Sequence, residues 1–198
     1  LFSSVLICSA LSCQNSGNKE KTPSKKETQS VEHLKPNSEH IPAFEGQTRI
    51  SAVKTTTPYN VEVIAEKLGR PWGIINLPDG RFLVTEKSGY LLLISKDGKT
   101  VSKVSGFPKA DAAGQGGMLD VALDPDFATT RMIYWSFSEP FGKGNLTSVA
   151  KGKLSVDEKT IESPTVIFRA TPDYDGKLHY GSRLVFDKEG HLFVSTGE

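Results

Sequence analysis

Four histidines occur in the 198-residue chain, and their positions differ in what they could do. His33 and His40 fall in a polar leader, His191 opens a short apolar run just behind a turn, and His179 stands shortly before the run 183–187. Imidazole is the side chain best matched to moving a proton near neutral pH, so His179 is a candidate general base. The alternative is a histidine that caps a loop. Gln115 lies in the glycine-dense run Gly114-Gln115-Gly116-Gly117, a composition that permits positive φ and the close approach of a flat ligand. The run is no dinucleotide fingerprint, because it follows a loop and enters a strand, whereas that motif needs a strand before it and a helix after it. Arg183 offers a guanidinium suited to a carboxylate-bearing ligand. A structural pair with an aspartate such as Asp120 is its alternative. Asp173-Tyr174-Asp175-Gly176 starts like a calcium loop but lacks the later ligands, and reads as an Asx-rich turn.

The elements that must position these residues are strands. From residue 61 onward the chain consists of short β-type runs separated by Gly, Pro and Asp, with no convincing helical period. Runs at 72–77, 81–86, 90–95 and 100–105 form one set, runs at 119–124, 132–137, 148–154 and 165–170 a second, and runs at 183–187 and 191–196 begin a third. Pro78, Pro125 and Lys188 start equivalent turns, at intervals of 47 and 63 residues. Four-strand units at about that period are the sign of propeller blades. The chain is therefore expected to be all-β, with four-stranded antiparallel blades of which only the first two to three are present. A β-sandwich is the alternative, but it leaves the repeated order of strand, turn and strand unexplained. In a propeller the first strand of each blade lines the central channel. Gln115 lies ten positions before Pro125 and His179 nine before Lys188, so the two occupy nearly equivalent places at the channel mouth on neighbouring blades.

The rest of the chain constrains partners and location. Both cysteines, Cys8 and Cys13, precede the folded part, so it holds no disulfide, zinc knuckle or thiol nucleophile. Residues 1–13 read as the core of a signal peptide whose start is missing, and Ala10-Leu11-Ser12-Cys13 resembles a relaxed bacterial lipobox. A lipidated Cys13 would anchor an exported protein to the bacterial cell envelope, facing periplasm or cell surface; cleavage nearby with an incidental cysteine is the alternative. Residues 14–47 are rich in Lys, Glu, Ser, Thr and Asn and read as a disordered tether, leaving 48–198 as the N-terminal part of the propeller. A net charge of +1 and no arginine-rich stripe argue against nucleic acid as a partner. Asn145-Leu146-Thr147 matches the glycosylation triplet, which carries no weight in a bacterial lipoprotein.

Three motifs in order carry a resemblance over residues 61–198: Arg70-Pro71-Trp72-Gly73 with Leu77-Pro78-Asp79-Gly80-Arg81-Phe82, then Gly114-Gln115-Gly116-Gly117-Met118-Leu119-Asp120 leading to Asp124-Pro125-Asp126-Phe127, then His179-Tyr180-Gly181-Ser182-Arg183-Leu184. They are similar to the glucose/sorbosone dehydrogenase family, whose members are six-bladed propellers carrying pyrroloquinoline quinone (PQQ) and calcium (Ca2+). The resemblance implies oxidation of an aldose sugar at its anomeric carbon to a lactone. His179 would take the hydroxyl proton, the quinone the hydride, and an external electron acceptor the electrons. It places Gln115 against substrate and cofactor, and Arg183 is kept with it as a cofactor-binding candidate. The calcium ligands and most cations for the quinone are expected outside this chain. Leu178 departs from the family pattern, which commonly has Asp or Asn before the histidine, and this bears on substrate preference. Two other functions fit a propeller: a non-catalytic ligand-binding module, and a lactonase with a metal in its channel, for which the recorded loops offer few carboxylates.

Overall fold

The computed structural model describes residues 39–47 and 55–197. The chain divides into two compact units, Leu1–Asn60 and Val61–Glu198. The signal-like segment, Cys13 and most of the tether lie outside the described residues. In the first unit the chain turns near Phe44, where the Gln47 side chain accepts a hydrogen bond of 2.6 Å from the Ala43 amide.

The second unit is built from three antiparallel sheets. β1 (Pro71–Asn76), β2 (Phe82–Glu86), β3 (Tyr90–Ile94) and β4 (Val101–Val104) form the first, in sequence order. β5 (Met118–Leu123), β6 (Met132–Phe141), β7 (Gly144–Leu154) and β8 (Ile161–Arg169) form the second, and β9 (Gly181–Phe186) with β10 (Leu192–Thr196) the third. These are two four-stranded blades and the first two strands of another. The turns arise from local chemistry: Asp79 accepts a bond from the Arg81 amide, Asp97 from Lys99, and Asp187 from Glu189 and His191. The second blade departs from the expected pattern by a four-residue helix, α1 (Phe127–Thr130), in its first turn. A single helical turn is too short to leave a period in the sequence.

Alternation along the strands decides which face is buried. In β9, Ser182 and Leu184 are buried while Arg183 and Val185 are exposed, as a period of two requires. The main core lies between the first two sheets: Leu83, Leu91 and Val104 meet Met118, Ile133, Trp135 and Leu154. Phe107 packs edge-on against Trp135 at 4.9 Å. A smaller cluster of Ala122, Val149 and Leu184 joins the second sheet to the third. Truncating a buried leucine such as Leu83 to alanine would cost about 2–5 kcal/mol.

The first strands of the three sheets lie side by side, with β5 between β1 and β9. Polar bonds knit them. The Thr85 hydroxyl donates to the Leu119 carbonyl at 2.6 Å and accepts from the Gly73 amide at 2.7 Å. Gly73 is required by this approach, since a Cβ there would sit 3.0 Å from both the Leu119 carbonyl and an Asp120 carboxylate oxygen. On the other side, the Ser136 hydroxyl donates to the Ser182 carbonyl at 2.8 Å. The loops that lead into β1, β5 and β9 are thereby gathered at one end of the stack.

Candidate active site

Two of those loops meet directly. The Gln115 amide donates to the Lys177 carbonyl at 2.7 Å, and the Gln115 side-chain oxygen accepts from the His179 amide at 2.9 Å. The repeat in the sequence therefore brings Gln115 and His179 together, across 64 residues of chain. His179 is exposed and holds φ at 60°, in the left-handed region where histidine is one of the more tolerated residues. Its successor is fixed from below: the Tyr180 hydroxyl donates to the Asn145 side chain at 2.6 Å, and the Tyr180 carbonyl accepts from Thr147 at 2.8 Å. Asn145 also donates to the Gly176 carbonyl at 2.7 Å. Both polar residues of the glycosylation triplet are thus buried supports of the His179 loop.

In the glycine-dense run Gly114 and Gly117 hold positive φ, as the composition permits, and the run also brings loops into close contact. A Cβ at Gly114 would meet the Lys177 carbonyl, one at Gly116 the Asp111 carbonyl and one at Gly117 the Lys87 carbonyl, each at 2.4 Å. The space that these glycines leave is filled by neighbouring backbone, so they let loops close on one another, and Gly116 lines the same cleft as Gln115. Asp173 likewise serves a turn, accepting from the Lys143 and Gly144 amides at 3.0 and 3.2 Å.

Gln115 and His179 line a cleft of about 440 Å³ together with Arg70, Trp72 and Lys87. Arg70 is set by Glu86, whose buried carboxylate accepts the Arg70 amide with both oxygens at 2.8 Å. The Arg70 side chain makes no ion pair among the described residues. Lys87 donates to the Gly114 carbonyl. Beside the cleft, Lys177 and Asp111 pair at 2.6 Å, which holds the Asp111 carboxyl below its ordinary value and the Lys177 ammonium above its own.

Arg183 lies against the Trp72 wall. Its guanidinium bonds Asp120 at 2.9 Å and sits 5.6 Å from the Trp72 ring, and it does not line the cleft. Asp120 is buried and its second oxygen accepts the Leu184 amide at 2.8 Å. The pair with Asp120 backs the tryptophan that forms a wall of the cleft and leaves the Arg183 side chain 63% exposed. Arg70 and Lys87 were not singled out in the sequence. The signal was there for Arg70, because counting back from Pro78 as from Pro125 ends close to it.

Antiparallel four-stranded blades whose first strands lie side by side define part of a β-propeller. Residues 68–198 match the sequence model of the Glucose / Sorbosone dehydrogenase family, and the chain belongs to that family. It is 42% identical over 141 residues to the aldose sugar dehydrogenase YliI of Escherichia coli K12, covering 70% of this chain and 38% of that protein. It also resembles the crystal structure of the soluble aldose sugar dehydrogenase of Escherichia coli in its apo-form, with TM-score 0.67 and 42% identity over 70% of this chain and 41% of that one. The PQQ-bound aldose sugar dehydrogenase of Streptomyces coelicolor matches with TM-score 0.62 and 25% identity, over 70% of this chain and 41% of that one. The chain thus spans about two fifths of the length of these relatives.

Proposed function

We propose that this chain supplies the base and one wall of a site that oxidises an aldose at its anomeric carbon to a lactone. The observation that carries this reading is the bond from the His179 amide to Gln115, which holds an exposed imidazole and an exposed amide on one cleft beside two cations and a tryptophan. PQQ is a flat tricarboxylate. The cleft fits such a group in composition, with Arg70 and Lys87 for carboxylates and the Trp72 ring for a planar face. When bound, PQQ supplies the acceptor for the hydride that leaves the anomeric carbon. The protein's part is then to place the sugar and handle its proton. His179 accepts the anomeric hydroxyl proton, and Gln115 orients the sugar through its amide. For calcium the chain offers less: no carboxylate of the described residues lines this cleft.

An external acceptor then removes the electrons, and lipidation at Cys13 holds the protein to the cell envelope. The test uses the full-length protein loaded with PQQ and calcium, an aldose panel and an artificial electron acceptor. His179→Ala is expected to lower kcat by about 10²- to 10⁴-fold, the usual contribution of a positioned base. Quinone absorbance should show cofactor binding little changed. Full turnover by His179→Ala would remove the histidine from the mechanism. A wild-type protein that reduces no acceptor with any aldose and binds no quinone would instead favour a ligand-binding propeller.

A further inference from the structure

We infer that the Asp111–Lys177 ion pair is a positioning device that sets the separation of the Gln115 and His179 loops, and with it the aim of both side chains at the sugar. The inference rests on the reading of His179 as the base. Lys177 joins the two loops twice. Its carbonyl accepts the Gln115 amide at 2.7 Å, while its ammonium reaches Asp111 at 2.6 Å, four residues before Gln115 on the same loop. Asp111 is in turn fixed to β6: its amide donates to the Ser138 carbonyl at 2.8 Å and its carbonyl accepts the Ser138 hydroxyl at 2.6 Å. Its other carboxylate oxygen accepts the Ala113 amide at 3.0 Å. A continuous set of polar bonds therefore runs from Ser138 through Asp111 and Lys177 to Gln115 and the His179 amide. Gly114 marks how closely the loops approach, since a Cβ there would lie 2.5 Å from the Lys177 Cβ.

Two features separate positioning from simple support. Neither residue belongs to either hydrophobic cluster, and the side chains are 21% and 40% exposed for Asp111 and Lys177, so the pair contributes little to stability. A shift of about 1 Å at a reacting group can nonetheless cost about 100-fold in rate. The Lys177 ammonium is also committed to Asp111, and Lys177 does not line the cleft that holds Gln115 and His179 with Arg70 and Trp72.

The test compares Lys177→Met, Asp111→Asn, Lys177→Arg and the swapped pair Asp111→Lys with Lys177→Asp, all in the full-length protein. Lys177→Met and Asp111→Asn are expected to lower kcat about 10- to 100-fold, with quinone affinity, aldose KM and Tm close to wild type. Lys177→Arg and the swapped pair should recover most of the rate. Unchanged kcat in both single variants overturns the inference. So does a rate loss that follows a lowered Tm and disappears on cooling, which would mark a structural role. A rate lost in the single variants and not recovered by the swap would assign Lys177 a direct contact. A second readout does not depend on turnover: in the cofactor-free protein the backbone amide resonances of Gln115 and His179 should move in Lys177→Met. If they stay in place the positioning claim fails, whether or not the protein oxidises sugars; if they move while the wild type shows no turnover, only the oxidation reading fails.

Discussion

Gln115 uses both ends of its residue on the His179 loop, the backbone amide on Lys177 and the side-chain oxygen on the His179 amide. On the proposed reading, the Gln115 side-chain NH2 and the second lone pair of its oxygen remain to address a sugar hydroxyl. Gln115→Ala is therefore expected to do two things at once, loosening the His179 backbone and removing a substrate contact. The predicted result is a loss of about 10-fold in kcat/KM, smaller than for His179→Ala and partly expressed in KM, read by steady-state kinetics. His191→Ala is the matching control. Its ring bonds Asp187 at 2.9 Å in the exposed β9–β10 turn, so turnover should stay near wild type. A rate that survives His179→Ala and is lost in His191→Ala would show the blades to be misaligned. The proximity of Gln115 to His179 was legible in the sequence because counting from equivalent turns in successive repeats is blind to everything except register. The Arg183–Asp120 pair was one of several arrangements the sequence allowed, because any neighbouring carboxylate suits a guanidinium and only the fold sets which strands adjoin.

The strands were legible wherever apolar runs end in Asp, Gly or Pro, and the first blade follows the expected runs to within about two residues. The long β6–β7 hairpin was not. The stretch from Ser138 to Asn145 contains Pro140 and two glycines and reads as a loop, yet it pairs up to Phe141 opposite Gly144. Distant residues complete it: Asp173 takes the amides at its tip, and Tyr174 forms a bridge with Asn145. At the opposite end of the sheets, Arg81 bonds Glu158 with both terminal nitrogens, at 2.6 and 2.9 Å, and so ties the first blade to the β7–β8 turn of the second. These hydrogen bonds from Arg81 hold the Glu158 carboxyl below its ordinary value of 4.5. The stabilisation is accordingly complete above that value and is lost as pH falls through the depressed one. Glu158→Gln should cost about 1 kcal/mol near neutrality, and denaturant unfolding should show the difference from wild type shrinking as the buffer is taken below pH 4.5.

The three sheets stack face to face, and the outer faces of the stack remain apolar. Ile74 on β1 is 63% exposed and Phe193 on β10 is 61% exposed. Apolar faces of that kind drive association. The unit from Val61 to Glu198, produced alone, is predicted to bind a hydrophobic dye and to self-associate in sedimentation; a cooperative thermal transition from a soluble monomer would contradict this. At the other end of the chain, Cys13→Ser is predicted to move the full-length protein from the membrane to a soluble fraction or to stop its maturation. Unchanged fractionation with membranes would count against lipidation there. The supports of the His179 loop have a practical consequence for how the protein is made. In a eukaryotic secretory host, glycosylation acts on the unfolded chain, and Asn145-Leu146-Thr147 is an acceptor triplet at that stage. Once folded, the Asn145 side chain is buried and bonded to Tyr180 and Gly176, with no room for a glycan. A sugar added there would compete with the bonds that seat the His179 loop, so yeast or insect-cell secretion should yield poorly folded protein, whereas a bacterial cytoplasm avoids the modification altogether.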